Sequence, residues 1–404
     1  MTAPTPHQLW LRLFLPFAAG YFLSYLYRTA NAVIGPVLAR ELNLGDNALG
    51  LLTSTYFLAF GAAQLPLGML LDRFGPRRVE AGLLLLAAAG AAVFALSDTL
   101  TGLASGRALI GLGVSACLMA SFKAFSQWFP PERQASLTGW IMAAGGLGAL
   151  AASKPLELAL GVAGWRDIAL ALAVVTLLVA AALGQFVPDK AGETRGPGFT
   201  EQLAGVRAIF SSAHFWRYAP MGFWFTGGFM AVQGLWASRW MIVLEGLDGP
   251  AIAARLTLIS GAMLAGFLFM GFFATRLVHH GIRLEKVYLG AMVVAIALFG
   301  LIAAAPGLAG NLLWPVLGAC FSLSNISYSL VAQAFPPALS GRANTALNLL
   351  VFLGAFGLQW GIGALVDGLQ AAGWAGDAAF RAAFYSLLGG QLAALLWLLR
   401  PARG

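Results

Sequence analysis

Twelve apolar stretches, each long enough to cross a bilayer, leave this sequence few folds to choose from. About 20 mostly apolar residues make a helix that spans the hydrocarbon layer. The stretches lie at residues 11–38, 47–71, 78–97, 100–128, 134–160 and 167–186, then at 215–244, 252–278, 285–304, 311–335, 342–367 and 379–399. Composition agrees: 59% of the 404 residues are hydrophobic and only 10% are charged, where soluble domains carry about 25%. This excludes a cytosolic globular protein, a disordered chain and a nucleic-acid binder. The expected fold is an all-α membrane protein with twelve transmembrane helices in two six-helix bundles. The first apolar run is too long for a cleavable signal peptide and lacks a small-residue cleavage site.

The expected boundary between the halves is the polar segment Val187–Ala213, which contains PDKAGETRGPG and cannot cross. It separates an N-terminal bundle (1–186) from a C-terminal bundle (214–404). The net charge is +8, from 24 basic and 16 acidic residues. With the N-terminus in the cytoplasm, the inner segments hold Arg12, Arg73, Arg77, Arg78, Arg133, Lys190, Arg195, Arg207, Arg217, Arg276, Arg283, Lys286, Arg342, Arg400 and Arg403. The outer segments hold only Arg40, Arg166, Arg255 and Arg381. That bias obeys the positive-inside rule and predicts both termini in the cytoplasm of a multi-pass inner-membrane protein. Most of the basic excess is therefore a topology signal, not an anionic docking surface. Cys117 and Cys320 lie in apolar stretches and support no disulfide framework.

The halves echo each other. Gln127-Trp128-Phe129-Pro130-Pro131 follows the fourth stretch, and Gln333-Ala334-Phe335-Pro336-Pro337 follows the tenth. Gly145-Gly146-Leu147-Gly148 in the fifth matches Gly354-Ala355-Phe356-Gly357 in the eleventh. Parallel six-span repeats are a transporter architecture, with the substrate held where the halves meet.

The strongest local motif joins the second and third stretches: Gly68-Met69-Leu70-Leu71-Asp72-Arg73-Phe74-Gly75-Pro76-Arg77-Arg78. Gly75-Pro76 predicts a tight turn, and Gly68 is expected to let a neighbouring helix approach closely. Asp72 can pair with basic groups, forming a latch that breaks when the halves rock apart. The spacing resembles the cytoplasmic signature of the major facilitator superfamily, G-x-L-x-D-R-x-G-x-R-R, at every position. Arg107-Ala108-Leu109-Ile110-Gly111-Leu112-Gly113 is similar to that superfamily's R-x-x-x-G-x-G element. The resemblance implies a secondary transporter working by rocker-switch alternating access. Gly68, Asp72, Arg73, Gly75, Arg77 and Arg107 then serve conformational roles. In the second half Gly271 and Arg276 remain, but Thr275 replaces the aspartate.

Ionisable groups inside spans are costly and so point to function. Five cations are placed within spans (Arg28, Arg107, Lys123, Lys154 and Arg239), against two acids, Glu157 and Asp367, near outer ends. The imbalance favours a small organic anion of carboxylate type. Arg28 is the foremost candidate, because it is at mid-depth on a face shared with Tyr21, Ser24, Tyr25 and Asn31. Its guanidinium offers a bidentate fork for a carboxylate. Within the superfamily such an arginine resembles arrangements in organic-anion and organophosphate transporters. Lys154 can supply a second positive contact or simply pair with Glu157 one turn on. Glu157 is the candidate for proton coupling, a role that Asp367 or the substrate carboxyl can also fill, and exchange of one anion for another needs no titratable residue. Lys123 can snorkel to the cytoplasmic end.

In the seventh span Gln233, Trp236 and Arg239 are further candidates for substrate contact: Gln233 and Trp236 share a face with Trp240, Arg239 lies to one side where it can instead gate the entrance or snorkel, and the tryptophans can form an interfacial belt. In the tenth and eleventh spans Asn325, Asn348 and Gln359 are the preferred polar ligands. Proton symport by a monomer in the lipid bilayer is expected, with no cofactor, metal or nucleic acid. The alternatives are a drug/proton antiporter, whose usual span-5 motif is replaced by GGLG here, or a non-transporting membrane receptor or enzyme. No catalytic constellation supports an enzyme.

Overall fold

A computed structural model describes residues 6–129, 131–188, 199–280, 282–308 and 310–400. It is all-helical over them, and eight of the described helices are long and apolar enough to cross a membrane. The expected spans at 11–38, 47–71, 134–160 and 215–244 also lie on helices, though three of them are interrupted midway.

These interruptions recur at matching places. The first helix, Leu15–Thr29, breaks at Ala30 and resumes as Asn31–Glu41. Its counterpart in the second half widens into π-helical turns over Gly222–Gly227 and Val232–Trp236. Leu100–Val114 gives way to Cys117–Trp128 at Ser115–Ala116, and Gly310–Ser324 gives way to Ile326–Ala332 at Asn325. Pro131–Ala151 also stops before Lys154–Leu160, whereas its counterpart Pro337–Ala371 runs unbroken. Widened turns and helix breaks re-aim side chains and free carbonyls, and they concentrate at functional sites.

Asp46–Leu96 is two helices joined at Gly75, whose φ of 77° and ψ of 160° belong to a region open essentially to glycine alone. Pro76 then opens the next helix, as its fixed φ favours at a first helical position. The two ends of the bundle are named here from this element: the Asp46 end and the Gly75 end.

Asp46–Leu96 packs on Leu100–Val114 and Trp165–Phe186, and Leu15–Thr29 packs on Pro131–Ala151. After the linker, Gly249–His279 packs on Gly310–Ser324, and Pro337–Ala371 packs on the π-helical turn at Gly222. The two halves meet along two seams, Asp46–Leu96 with Pro337–Ala371 and Pro131–Ala151 with Gly249–His279. One glycine from each of the two glycine motifs does similar work. A methyl on Gly148 would collide with the Phe22 carbonyl, and one on Gly354 with the Phe223 carbonyl. Each bare position lets a seam helix lie directly on the first helix of its own half. A short helix, Phe199–Phe210, lies within the expected linker and packs on Pro337–Ala371.

Candidate functional site

Arg28 occupies the last turn of Leu15–Thr29, just before the break. Its guanidinium carbon lies 3.6 Å from the centre of the Tyr25 ring, a cation–π contact that fixes the fork. Tyr21 stacks edge-on against Tyr25 at 5.1 Å. Nη2 of Arg28 is buried and has no hydrogen-bond partner among the described residues. A buried guanidinium nitrogen without an acceptor is unfavourable, so this atom is set up for a ligand oxygen. The second half lies close by: Gly234 packs near the Arg28 carbonyl, and Tyr328 is within electrostatic range.

Polar side chains cross from one half to the other beside it. Tyr328 donates from its hydroxyl to Asn348 Oδ1 at 2.7 Å, and Asn348 Nδ2 donates to Gln64 Oε1 at 3.0 Å. Gln359 Nε2 donates to Thr53 Oγ1 at 2.5 Å, while its Oε1 is buried without a partner. Trp236 is fully buried and donates to the Gln359 carbonyl at 2.9 Å. Gln233 meets Met263 Sδ at 2.9 Å, and Asn325 Nδ2 donates to the Ser322 carbonyl at 3.2 Å. Donors and acceptors of the kind that read hydroxyl groups thus lie along the seam beside the Tyr25-backed guanidinium of Arg28.

Toward the Asp46 end the halves are clamped together. Arg239 donates from Nε to Asp46 Oδ1 at 2.8 Å, and its Nη2 reaches the same oxygen. The Asn47 amide donates to Asp367 Oδ2 at 2.9 Å, and Trp360 Nε1 donates to Asn47 Oδ1 at 2.7 Å. Phe60 and Phe352 stack across the seam at 3.9 Å. On the other seam the Lys154 amide meets Thr257 Oγ1 at 3.1 Å. A cavity of about 550 Å³ lies at this end, lined by Arg40, Glu157, Arg239 and Asp248 among apolar residues. Arg28 is not part of its wall.

Comparison with known proteins matches this architecture to a family. The Major Facilitator Superfamily profile matches residues 17–359, most of the chain. The chain belongs to the Major Facilitator Superfamily. That family is one of membrane transporters, not of enzymes. Among relatives, the "Probable sulfoacetate transporter" of Cupriavidus necator is 26% identical over 164 residues, covering 39% of this chain and 36% of that protein. The "Probable L-galactonate transporter" of Escherichia coli K12 is 30% identical over 175 residues, covering 42% of this chain and 37% of that protein. The matched region thus spans little more than a third of either relative. A crystal structure of a D-xylose–proton symporter superposes with a TM-score of 0.77 at 15% identity, covering 96% of this chain and 97% of that one. That likeness is one of fold.

The superfamily signature is mostly a structural device here. Gly75 makes the turn, and Arg77 donates to the Gly184 carbonyl, tying this loop to the end of Trp165–Phe186. Arg73 is exposed, with its guanidinium 5.2 Å from the Phe74 ring centre. The side chain of Asp72 lies outside the described residues, as do those of Thr275 and Arg276. At Gly68 no described atom of a neighbouring helix lies within 4 Å of where its Cβ would stand, so the described residues show no close helix approach there. Arg107 donates to the Tyr27 carbonyl at 3.0 Å and lies 4.9 Å from the Tyr56 ring centre. It serves the helix break from inside the first half. Lys123 reaches the Leu71 carbonyl at 2.8 Å.

Lys154 pairs with Glu157 at 2.6 Å, the simpler of the two arrangements open to them. Arg239 is brought to the seam as a clamp on Asp46 and not to Arg28. The interfacial-belt alternative for Trp236 and Trp240 is excluded, since both are fully buried and Trp240 stacks on Phe384 at 4.1 Å. Gln64, Thr53 and Asp46 escaped the sequence reading, although the rule that singled out Asn348 applies equally to a glutamine inside a span. Glu80 was missed as well. It stands inside the third apolar stretch, so the acids within spans are not only Glu157 and Asp367.

Proposed function

We propose that this superfamily member is a secondary active transporter that moves a small carboxylate-type organic anion across the inner membrane, coupled to protons. Twelve spans in two six-helix bundles, divided at the 187–213 linker and with both termini in the cytoplasm, are the arrangement that the apolar pattern and charge bias support. In that orientation the Asp46 end faces outward, and the clamps there mark a state closed to the outside. Rocker-switch alternating access would break them and close the Gly75 end instead.

The observation that carries the substrate class is Arg28, held on Tyr25 at the junction of the halves with a buried, unpartnered Nη2. Relatives named for sulfoacetate and L-galactonate point the same way, toward small anions bearing an acid group and hydrogen-bonding oxygens. The Gln64–Asn348–Tyr328 chain and the free oxygen of Gln359 supply partners for such hydroxyls.

The test is ligand-induced thermal stabilisation of the purified protein with L-galactonate, sulfoacetate, uncharged sugars and hydrophobic cations. The anions should raise the melting temperature. Arg28→Gln should weaken their binding by about tenfold or more, the worth of a charge-assisted hydrogen bond, without lowering the ligand-free melting temperature. Stabilisation by hydrophobic cations alone would favour drug export and sink the anion assignment.

A further inference from the structure

Glu80 is 0% exposed, and among the described residues no nitrogen or oxygen donor meets its carboxyl oxygens; the Cys117 thiol is the polar group beside them. It lies five residues beyond the Gly75 turn, in the core of the first half. Two neighbours form its seat. Gly20 approaches so closely that a methyl group there would collide with Glu80 Oε1, and the Cys117 thiol stands alongside. A thiol is only a weak donor.

The charged groups on the surrounding helices are engaged elsewhere. Arg107 is on the Tyr27 carbonyl, Lys123 on the Leu71 carbonyl, Arg77 on the Gly184 carbonyl and Arg28 over Tyr25. Trp165–Phe186, which packs on the same helix, has no titratable side chain beyond Asp167. An ionised carboxylate in this seat would be shut off from solvent with no cation beside it among the described residues, and such isolated buried charges are strongly disfavoured.

We propose that Glu80 binds the coupling proton of the transport cycle, holding it as a neutral carboxyl in the closed state described above. The proposal rests on the anion-transport reading and names the group that serves it. The chemistry is a single proton transfer: carboxylate plus proton gives carboxyl, and no other bond changes. One proton per singly charged anion makes the loaded transporter's movement electroneutral. The mechanical link is Gly20. It shares a helix with Tyr21, Tyr25 and Arg28, the last eight residues or about 12 Å further along. A shift of that helix when Arg28 takes up an anion opens or closes the Glu80 seat. Glu157, by contrast, spends its charge on Lys154.

Infrared spectroscopy tests the proton without any substrate. Wild-type protein at neutral pH should show a protonated-carboxyl stretch that moves with ¹³C-glutamate labelling and is missing from Glu80→Gln. Absence of that band from the wild type overturns the proposal, whether or not the variant folds. Reconstituted vesicles test the coupling, with L-galactonate as the probe. Glu80→Gln should retain exchange of L-galactonate and lose accumulation driven by an imposed proton gradient. Wild-type accumulation by the variant overturns the coupling role. If the wild type moves no L-galactonate, the sugar-acid probe was wrong, and the infrared result still decides the proton site.

Discussion

Arg28 and Gly75 show two ways in which one residue constrains this molecule. Arg28 tolerates its place among packed helices because the Tyr25 face covers its charge, leaving Nη2 without a partner among the described residues. Gly75 tolerates its backbone because it has no Cβ, at a φ and ψ where other residues store about 1–3 kcal/mol of strain. Gly75→Ala should therefore lower unfolding stability by about that amount, read as a fall in melting temperature of the purified protein. An unchanged melting temperature would mean that the turn relaxes elsewhere. Gly68, seven residues earlier in the same motif, has open space around it and should accept alanine with no comparable loss. Both glycines were equally visible in the sequence. Only backbone geometry separates them.

At the scale of elements, the breaks in the helices matter more than their lengths. Apolar runs predicted where helices lie because their length and hydropathy are local properties of the chain. They did not predict the turn at Ala30 or the widened turns after Met221, because these depend on what neighbouring helices offer the freed carbonyls. Arg107 on the Tyr27 carbonyl is such a case. Beyond the break, Asn31–Glu41 is anchored at its far end by Glu41, which accepts from Trp165 Nε1 at 2.7 Å and from Arg166. The indole N–H, then the guanidinium, hold this carboxyl below the usual carboxylate range. Because the folded state favours the ionised form, the contribution is present above the unfolded pKa and is lost as pH falls through the folded one. Acid-induced loosening of this corner should begin below about pH 4, and Glu41→Gln should make it independent of pH in that window. Hydrogen exchange of the 31–41 amides between pH 3 and 6 would show it. Glu41 is well exposed, so the effect should be small.

For the whole molecule the decisive feature is how the halves meet. Asp46 with Arg239, and Asn47 with Asp367 and Trp360, hold the Asp46 end closed. Asp46 is nearly buried, so removing one partner leaves a charge stranded in the seam. Asp46→Asn and Arg239→Gln should each destabilise this state, and the double variant should cost less than the sum. Melting temperatures of the four proteins give the coupling, expected at about 1–3 kcal/mol. Additive effects would remove the clamp from the gating machinery.

What the sequence by itself determined is the class of the molecule: an apolar, helical member of the Major Facilitator Superfamily. That follows from local composition and from spacing along one chain. The tertiary structure decided which polar residues share a site. A helical wheel gives a side chain's direction but not what stands opposite, so Asn348 finding Gln64, Arg239 finding Asp46 and Lys154 finding Glu157 were settled only when the helices packed. Glu80 shows the difference most sharply. Its letter stood in plain view within an apolar stretch, yet its isolation comes from Gly20 and Cys117, residues 60 and 37 positions away along the chain.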